Sequence, residues 1–198
     1  MIATNTNHGT QLPTPDAPGA SPSSQELDDI WASNTVVPES ITGCVHDLIT
    51  EAAQKQPDSL AVCAWDGDFT YAQLSALSDY VAHHLYNMVI PPRSPITLLF
   101  PKSRWTCVAM LGIIKAGYAA IALDSIHPDA RLRSIIKHAQ PKAMICCAAT
   151  QKRVSLLCDS PILQLGDSLL EIAGTIKQQT LDLPVVSPND IVYISFTS

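Results

Sequence analysis

The chain has 198 residues, with twelve Lys and Arg against eighteen Asp and Glu for a formal charge of -6, and its side chains are 46% hydrophobic and 15% charged. Low hydrophobicity with high charge, the mark of disorder, is absent, and without a Lys/Arg stripe nucleic acid is excluded as an expected partner. The length fits one domain or a piece of a larger one. Residues 1–26, rich in Pro, Ser, Thr and Asn and without a period, read as a disordered tail or linker, and residues 27–198 as the folded part. Neither a basic start nor an apolar core marks the first residues as a signal or transit peptide, so a cytoplasmic location is expected.

From Leu27 onward the pattern alternates helix and strand. Val45, Leu48, Ile49 and Ala52 stand on one face of a helix that Pro57 stops, and the run LAVCAW after it reads as a strand. Leu74, Leu77, Val81, Leu85 and Met88 step by three and four residues through a second amphipathic helix, with Thr70 and Gln73 placed for a capping box. ITLLF reads as a buried strand; a helix follows from Arg104 to Ala116, capped by Ser103 and ended by Lys115, Ala116 and a left-handed Gly117. These caps leave about a dozen helical residues where a membrane span needs roughly 20, so no membrane segment is expected. AAIAL is a strand, and a helix opened by Pro128 carries Leu132, Ile135, Ile136 and Ala139 on its apolar face. AMICCAA, ILQL and IVYISF are further strand candidates. Nearly continuous apolar strands between helices predict an α/β layered fold, a mostly parallel sheet with helices on both faces.

Few residues point to chemistry on their own. The six cysteines read as reduced core thiols, with Cys146 and Cys147 on opposite faces of a strand. There is no CxxC, no HExxH, no GxSxG, no complete Walker loop and no GxGxxG. No catalytic or metal-ligating residue is assigned. His83 and His84 read as solvated, and Trp65, Tyr71 and Trp105 as packing anchors.

Four segments go further when taken together. IWASNTVVP with CVHDLI (30–38 and 44–49), FTYAQL (69–74), KSRWTCVAMLGIIKAGYAAIALDSIHPDARL (102–132) and IVYISFTS (191–198) stand in the order in which similar motifs occur in adenylation domains of nonribosomal peptide synthetases, fungal ones especially. The chain resembles the N-terminal part of such a domain, within the AMP-binding, acyl-adenylate-forming superfamily. Phe69 and Gln73 depart from the family motif conservatively, and Ala122 and Ser125 stand where the family carries proline. IVYISFTS is similar to the opening of the family's phosphate loop, whose glycine-rich continuation would follow Ser198, so a fragment cut within that loop is expected.

The resemblance implies the fold of an adenylate-forming enzyme. The intact form uses ATP and Mg to activate an amino or other carboxylic acid as an acyl-adenylate in secondary metabolism. It makes Thr197 and Ser198, hydroxyls just beyond a parallel strand, the remnants of an ATP site. The remaining parts of the active site would come later, so the chain alone is expected to be inactive, without productive cofactor binding. The alternative is a noncatalytic interaction module that pairs with another synthetase chain through an unpaired sheet edge.

Overall fold

A computed structural model describes residues 21–35, 42–173 and 183–196. The chain divides into two units, Met1–Ile41 and Thr42–Ser198. In the first, α1 (Ser24–Ser33) begins with a capping box: the Glu26 N–H donates to the Ser23 hydroxyl at 3.3 Å and the Ser23 N–H to the Glu26 carboxylate at 2.7 Å. The helix starts three residues before Leu27, where the sequence reading placed the change. The Ser-x-x-Glu pattern that starts it is a local signal. Residues 1–20 lie outside the described part.

The second unit runs α2 (Val45–Lys55), β1 (Leu60–Ala64), β2 (Gly67–Thr70), α3 (Tyr71–Asn87), β3 (Pro95–Phe100), α4 (Trp105–Lys115), β4 (Ala119–Asp124), α5 (Asp129–Ala139), β5 (Ala143–Cys147), α6 (Ala148–Ser155), β6 (Ile162–Leu165) and α7 (Ser168–Ala173). β3 to β6 form a four-stranded sheet in the order β4-β3-β5-β6, parallel throughout. β1 and β2 make a separate antiparallel hairpin. The α/β layered fold is as expected. The Asp66-Gly67 pair is the turn signal that marks the hairpin.

Alternation along β3 sorts the core into two layers. Ile96, Leu98 and Phe100 pack with Leu74, Leu77 and Val81 of α3 and Trp105, Val108 and Leu111 of α4. Leu99 joins Leu132, Ile135 and Ile136 of α5 and Val154 of α6 on the other face. Cys146 belongs to this second layer and Cys147 packs against the first, so the two thiols do face opposite ways. Burial pushes the Cys146 thiol up to about 11, which keeps it protonated and inert.

Several local expectations change. The Thr70–Gln73 capping box forms as read, at 2.9 and 3.3 Å. On α2, however, Val45 and Leu48 are 47% and 46% exposed, and Ile49 alone of that face's larger residues packs against the core. Pro128 is the N-cap of α5 rather than its first residue. The run read as AMICCAA ends at Cys147, because Ala148 and Ala149 already open α6. Segment 191–196 makes one parallel bridge, Ala120 to Tyr193, instead of a regular strand. Trp105 is a core anchor and Tyr71 is half-buried, but Trp65 is 80% exposed. His83 and His84 are half-buried, with His84 stacked on Tyr80 at 4.1 Å. No helix among the described residues is long and apolar enough to cross a membrane.

Candidate functional site

In open parallel sheets ligands bind beyond the carboxyl ends of the strands, most often where neighbouring connections diverge. Here the chain leaves β3 toward β4 and leaves β5 toward β6, so divergence falls between β3 and β5. That crevice is closed by the start of α6: the buried Thr150 hydroxyl donates to the Leu99 carbonyl at 2.8 Å. The open space lies one strand over. A cavity of about 650 Å³ sits at the carboxyl ends of β3 and β4, lined by Leu98, Phe100, Lys102, Ser103, Asp124 and Ser125 among others. Its size is ordinary for a small-molecule site.

One wall is held from the hairpin. Asp66, in the β1–β2 turn, accepts from the Ser103 hydroxyl at 2.5 Å and from the Arg104 N–H at 3.0 Å. Ser103 in turn accepts from the Trp105 N–H at 3.2 Å. Ser103 therefore does serve the start of α4, but Asp66 completes the arrangement from far along the chain, supplying an acceptor and a negative charge where a helix N-terminus favours both. Burial pulls the Asp66 carboxyl upward; the Ser103 and Arg104 hydrogen bonds and the Arg104 charge together outweigh it, and the group ends below its ordinary value. The Trp65 indole donates to the Lys102 carbonyl, which explains how so exposed a tryptophan is still tied to the wall.

Arg104 lies behind this wall, 2.8 Å from Asp167 and stacked 4.6 Å over Phe69. A Cβ on Gly67 would come within 2.4 Å of the Arg104 guanidinium, and its φ of +120° is one that L side chains rarely adopt. The φ is what calls for glycine there; the tip of the Arg104 side chain would have to shift as well.

The opposite wall is the loop after β4. Asp124 accepts from the Ile126 N–H at 2.9 Å, and Arg153 of α6 gathers the rest: Nη1 donates to the Ser125 carbonyl at 2.6 Å, Nη2 to the His127 carbonyl at 2.5 Å, and Nε to Asp129 at 2.7 Å. This three-point use of one guanidinium is geometry a lysine cannot reproduce.

Lys115, read as a helix-end cation, belongs to neither wall. Its side chain is buried, with Nζ 2.7 Å from Asp79 and 3.4 Å from the Ser75 carbonyl and hydroxyl, so it ties α4 to α3 at the amino ends of the strands. Thr197 and Ser198, the residues expected to touch ATP, lie outside the described residues. The segment before them runs beside β4, with the Ala120 N–H donating to Val192 O and the Ile194 N–H to Ala120 O, both at 2.9 Å.

The described lining does not by itself fit ATP with Mg. It offers one lysine and one carboxylate, Asp124, whose Oδ1 is already engaged, where a triphosphate with its metal needs several donors and carboxylate or water ligands. Asp66, Thr150 and Arg153, which build the site, were not singled out from sequence. Only Asp66 had a local signal, the turn dipeptide it begins.

Comparison with known proteins gives one consistent result. The sequence pattern described as AMP-binding enzyme matches residues 49–198. Nonribosomal peptide synthetase ungA of Aspergillus violaceofuscus is 42% identical over 174 residues, and Peramine synthetase A of Epichloe festucae 36% over 177. These alignments cover 87% and 89% of this chain but 2% and 6% of those proteins, so the chain spans a small part of the relatives it matches. Among solved structures, VinN in complex with 3-methylaspartate superposes with a TM-score of 0.69 at 26% identity, covering 79% of this chain and 44% of that one. The nonribosomal peptide synthetase FmoA3 superposes with a TM-score of 0.73 at 20% identity, covering 92% and 20%, a likeness of fold.

Proposed function

The chain belongs to the family of AMP-binding enzymes, and from that premise we propose that it forms the first part of the adenylating unit of a nonribosomal peptide synthetase. In the whole unit, a carboxylate oxygen of an amino or other carboxylic acid bonds to the α-phosphorus of ATP, the α–β bridging bond breaks, and pyrophosphate leaves with its electrons. The observation that carries the reading is the cavity at the carboxyl ends of β3 and β4, in a sheet whose relatives are peptide synthetases. This chain's own share is positional: Asp66 and Arg153 hold the two walls, and Thr197 and Ser198 offer hydroxyls to a phosphate. ATP supplies the phosphoryl electrophile when bound, and the donors and magnesium ligands that the described lining lacks come from other parts of the unit. Residues 1–198 alone therefore do not catalyse. A cytoplasmic setting and a secondary-metabolite product belong to the same proposal.

The test is acyl-adenylate formation, followed by mass spectrometry, for residues 1–198 alone and for residues 42–198 joined to the rest of a fungal adenylating unit. Product from the joined polypeptide only is expected. Product from residues 1–198 alone overturns the claim that they do not catalyse, and a folded joined polypeptide inert toward all acids overturns adenylation. One observation favours the second reading, a noncatalytic module pairing with another synthetase chain: Ile191 and Tyr193, beside β4, are 67% and 45% exposed, an apolar edge open to strand addition. Co-purification with a separate synthetase polypeptide would support it.

A further inference from the structure

Far along the chain from the carboxyl-end cavity, three unlike donors converge at the start of α2. Cys44 is the N-cap, in extended conformation, and its side chain makes no capping bond to the helix. Its Sγ is buried and donates to the Val186 carbonyl at 3.4 Å. His46 and Asp47, in the first turn, bring an imidazole nitrogen and a carboxylate oxygen to that sulfur, and the three ligand atoms lie within 4.8 Å of one another. His46 Nε2 is 3.5 Å from Asp47 Oδ1, while His46 Nδ1 is buried with no hydrogen-bond partner among the described residues.

The bland reading is a helix start that happens to be polar. It leaves His46 Nδ1 buried and without a partner among the described residues. Of the charged groups that act on the cluster, Asp190, close enough to act on the Cys44 thiol, is itself held by Arg93 at 2.8 Å and by the Ser187 N–H at 2.8 Å, and Lys115, which acts on His46, is held by Asp79 at 2.7 Å.

We propose that Cys44, His46 and Asp47 form a binding site for a transition-metal dication, Zn²⁺ by its ligand set. Thiolate, imidazole and carboxylate are the donors zinc takes, with water in the fourth position. Ligand atoms around tetrahedral zinc lie roughly 3.3–3.8 Å apart, given bonds of about 2.0–2.3 Å, so side-chain rotations of an ångström or so close the site. The helix N-terminus and the Lys115 charge that acts on His46 oppose a cation, and the thiolate and Asp47 charges offset them. Asp47 is 71% exposed, which gives the ion and its water a path in. Binding exchanges the S–H···O bond to Val186 for a metal–sulfur bond, and the thiol proton leaves to solvent with no change of oxidation state.

The test uses the full chain, reduced and metal-free, with Co²⁺ as the probe. One equivalent should give tetrahedral visible bands and a near-ultraviolet sulfur-to-cobalt charge-transfer band, both displaced by Zn²⁺. Cys44→Ser should abolish the charge-transfer band, His46→Ala should weaken binding by about 100-fold or more, and Cys63→Ser and Cys107→Ser should leave both unchanged. Since Cys44→Ser can fail to fold, a second measurement needs no variant: Zn²⁺ should slow alkylation of Cys44, read peptide by peptide, and leave Cys63 and Cys107 unaffected. No charge-transfer band at stoichiometric Co²⁺, Cys44 alkylation indifferent to Zn²⁺, or a band that survives Cys44→Ser overturns the site.

Discussion

Replacing Gly112 with alanine tests the packing of α3 on α4 directly. A Cβ at Gly112 would stand 2.5 Å from both Cβ and Cγ1 of Val81 and 2.9 Å from the backbone oxygen of Ser78, in a region where Val81 and Ser78 are fully buried. Carbon atoms pack at about 3.5–4.0 Å, so the shortfall is about an ångström or more. Val81 cannot swing away: its Cβ is fixed to the backbone and its branched side chain is stiff. The helices must move apart. Alanine gains up to about 1 kcal/mol of helix propensity over glycine, whereas overpacking costs about 1–3 kcal/mol and here should reach the upper end, because the clash is with backbone and Cβ. The net expectation is a loss of about 2 kcal/mol. Urea unfolding followed by tryptophan fluorescence can measure it, since Trp105 is 4% exposed and reports the core whereas Trp31 and Trp65 are 69% and 80% exposed. The midpoint should fall with the slope unchanged. Gly43→Ala and Gly166→Ala, with nothing within 4 Å of the added carbon, should stay within about 0.5 kcal/mol of the parent. A Gly112→Ala protein as stable as the parent, or more so, would refute the reasoning.

The buried Thr97 hydroxyl has no hydrogen-bond partner among the described residues, so Thr97→Val should raise stability by about 1 kcal/mol in the same urea assay. Arg153→Ala should free the loop after β4: amide hydrogen exchange of residues 125–127 should quicken while β6 stays protected. Burial holds the His46 imidazole below its ordinary value of 6.5, against the opposing pull of Asp47. The unfolded chain then binds a proton that the folded one refuses, so in chelator-containing buffer stability should fall as pH drops through about 6.5 and level off below the folded value, and His46→Gln should flatten that step. Asp66 and Asp190 titrate the other way: both carboxyls sit below 3.8 when folded, so their contribution is full above that pH and is lost as pH falls through their folded values, a separate, more acid step.

How much of this could be read from the sequence depends on how local each cause is. The α3 start was legible because Thr70 and Gln73 satisfy each other across three residues, and Gly117 because its φ of +76° calls for glycine after α4. The parallel sheet was legible because its strands are apolar on both faces. The cavity walls were not, since Asp66 reaches Arg104 across 38 residues and Arg153 reaches Ser125 across 28, and no window of sequence contains both ends. Segment 191–196 read as a strand from composition alone. Whether such a segment pairs fully depends on its neighbour, and here β4 engages it at a single bridge. Lys115 stands in the last turn of α4 as read, but its pairing with Asp79 on another helix was beyond the reach of any local window.

The adenylation reading is tested most directly by pyrophosphate exchange in a polypeptide where residues 42–198 replace the matching segment of a working fungal adenylating unit. Exchange that depends on the unit's own amino acid, and that weakens when Arg153→Ala loosens the cavity wall, is the result predicted. A replacement that folds as cooperatively as its parent yet exchanges no label with any acid would contradict the account.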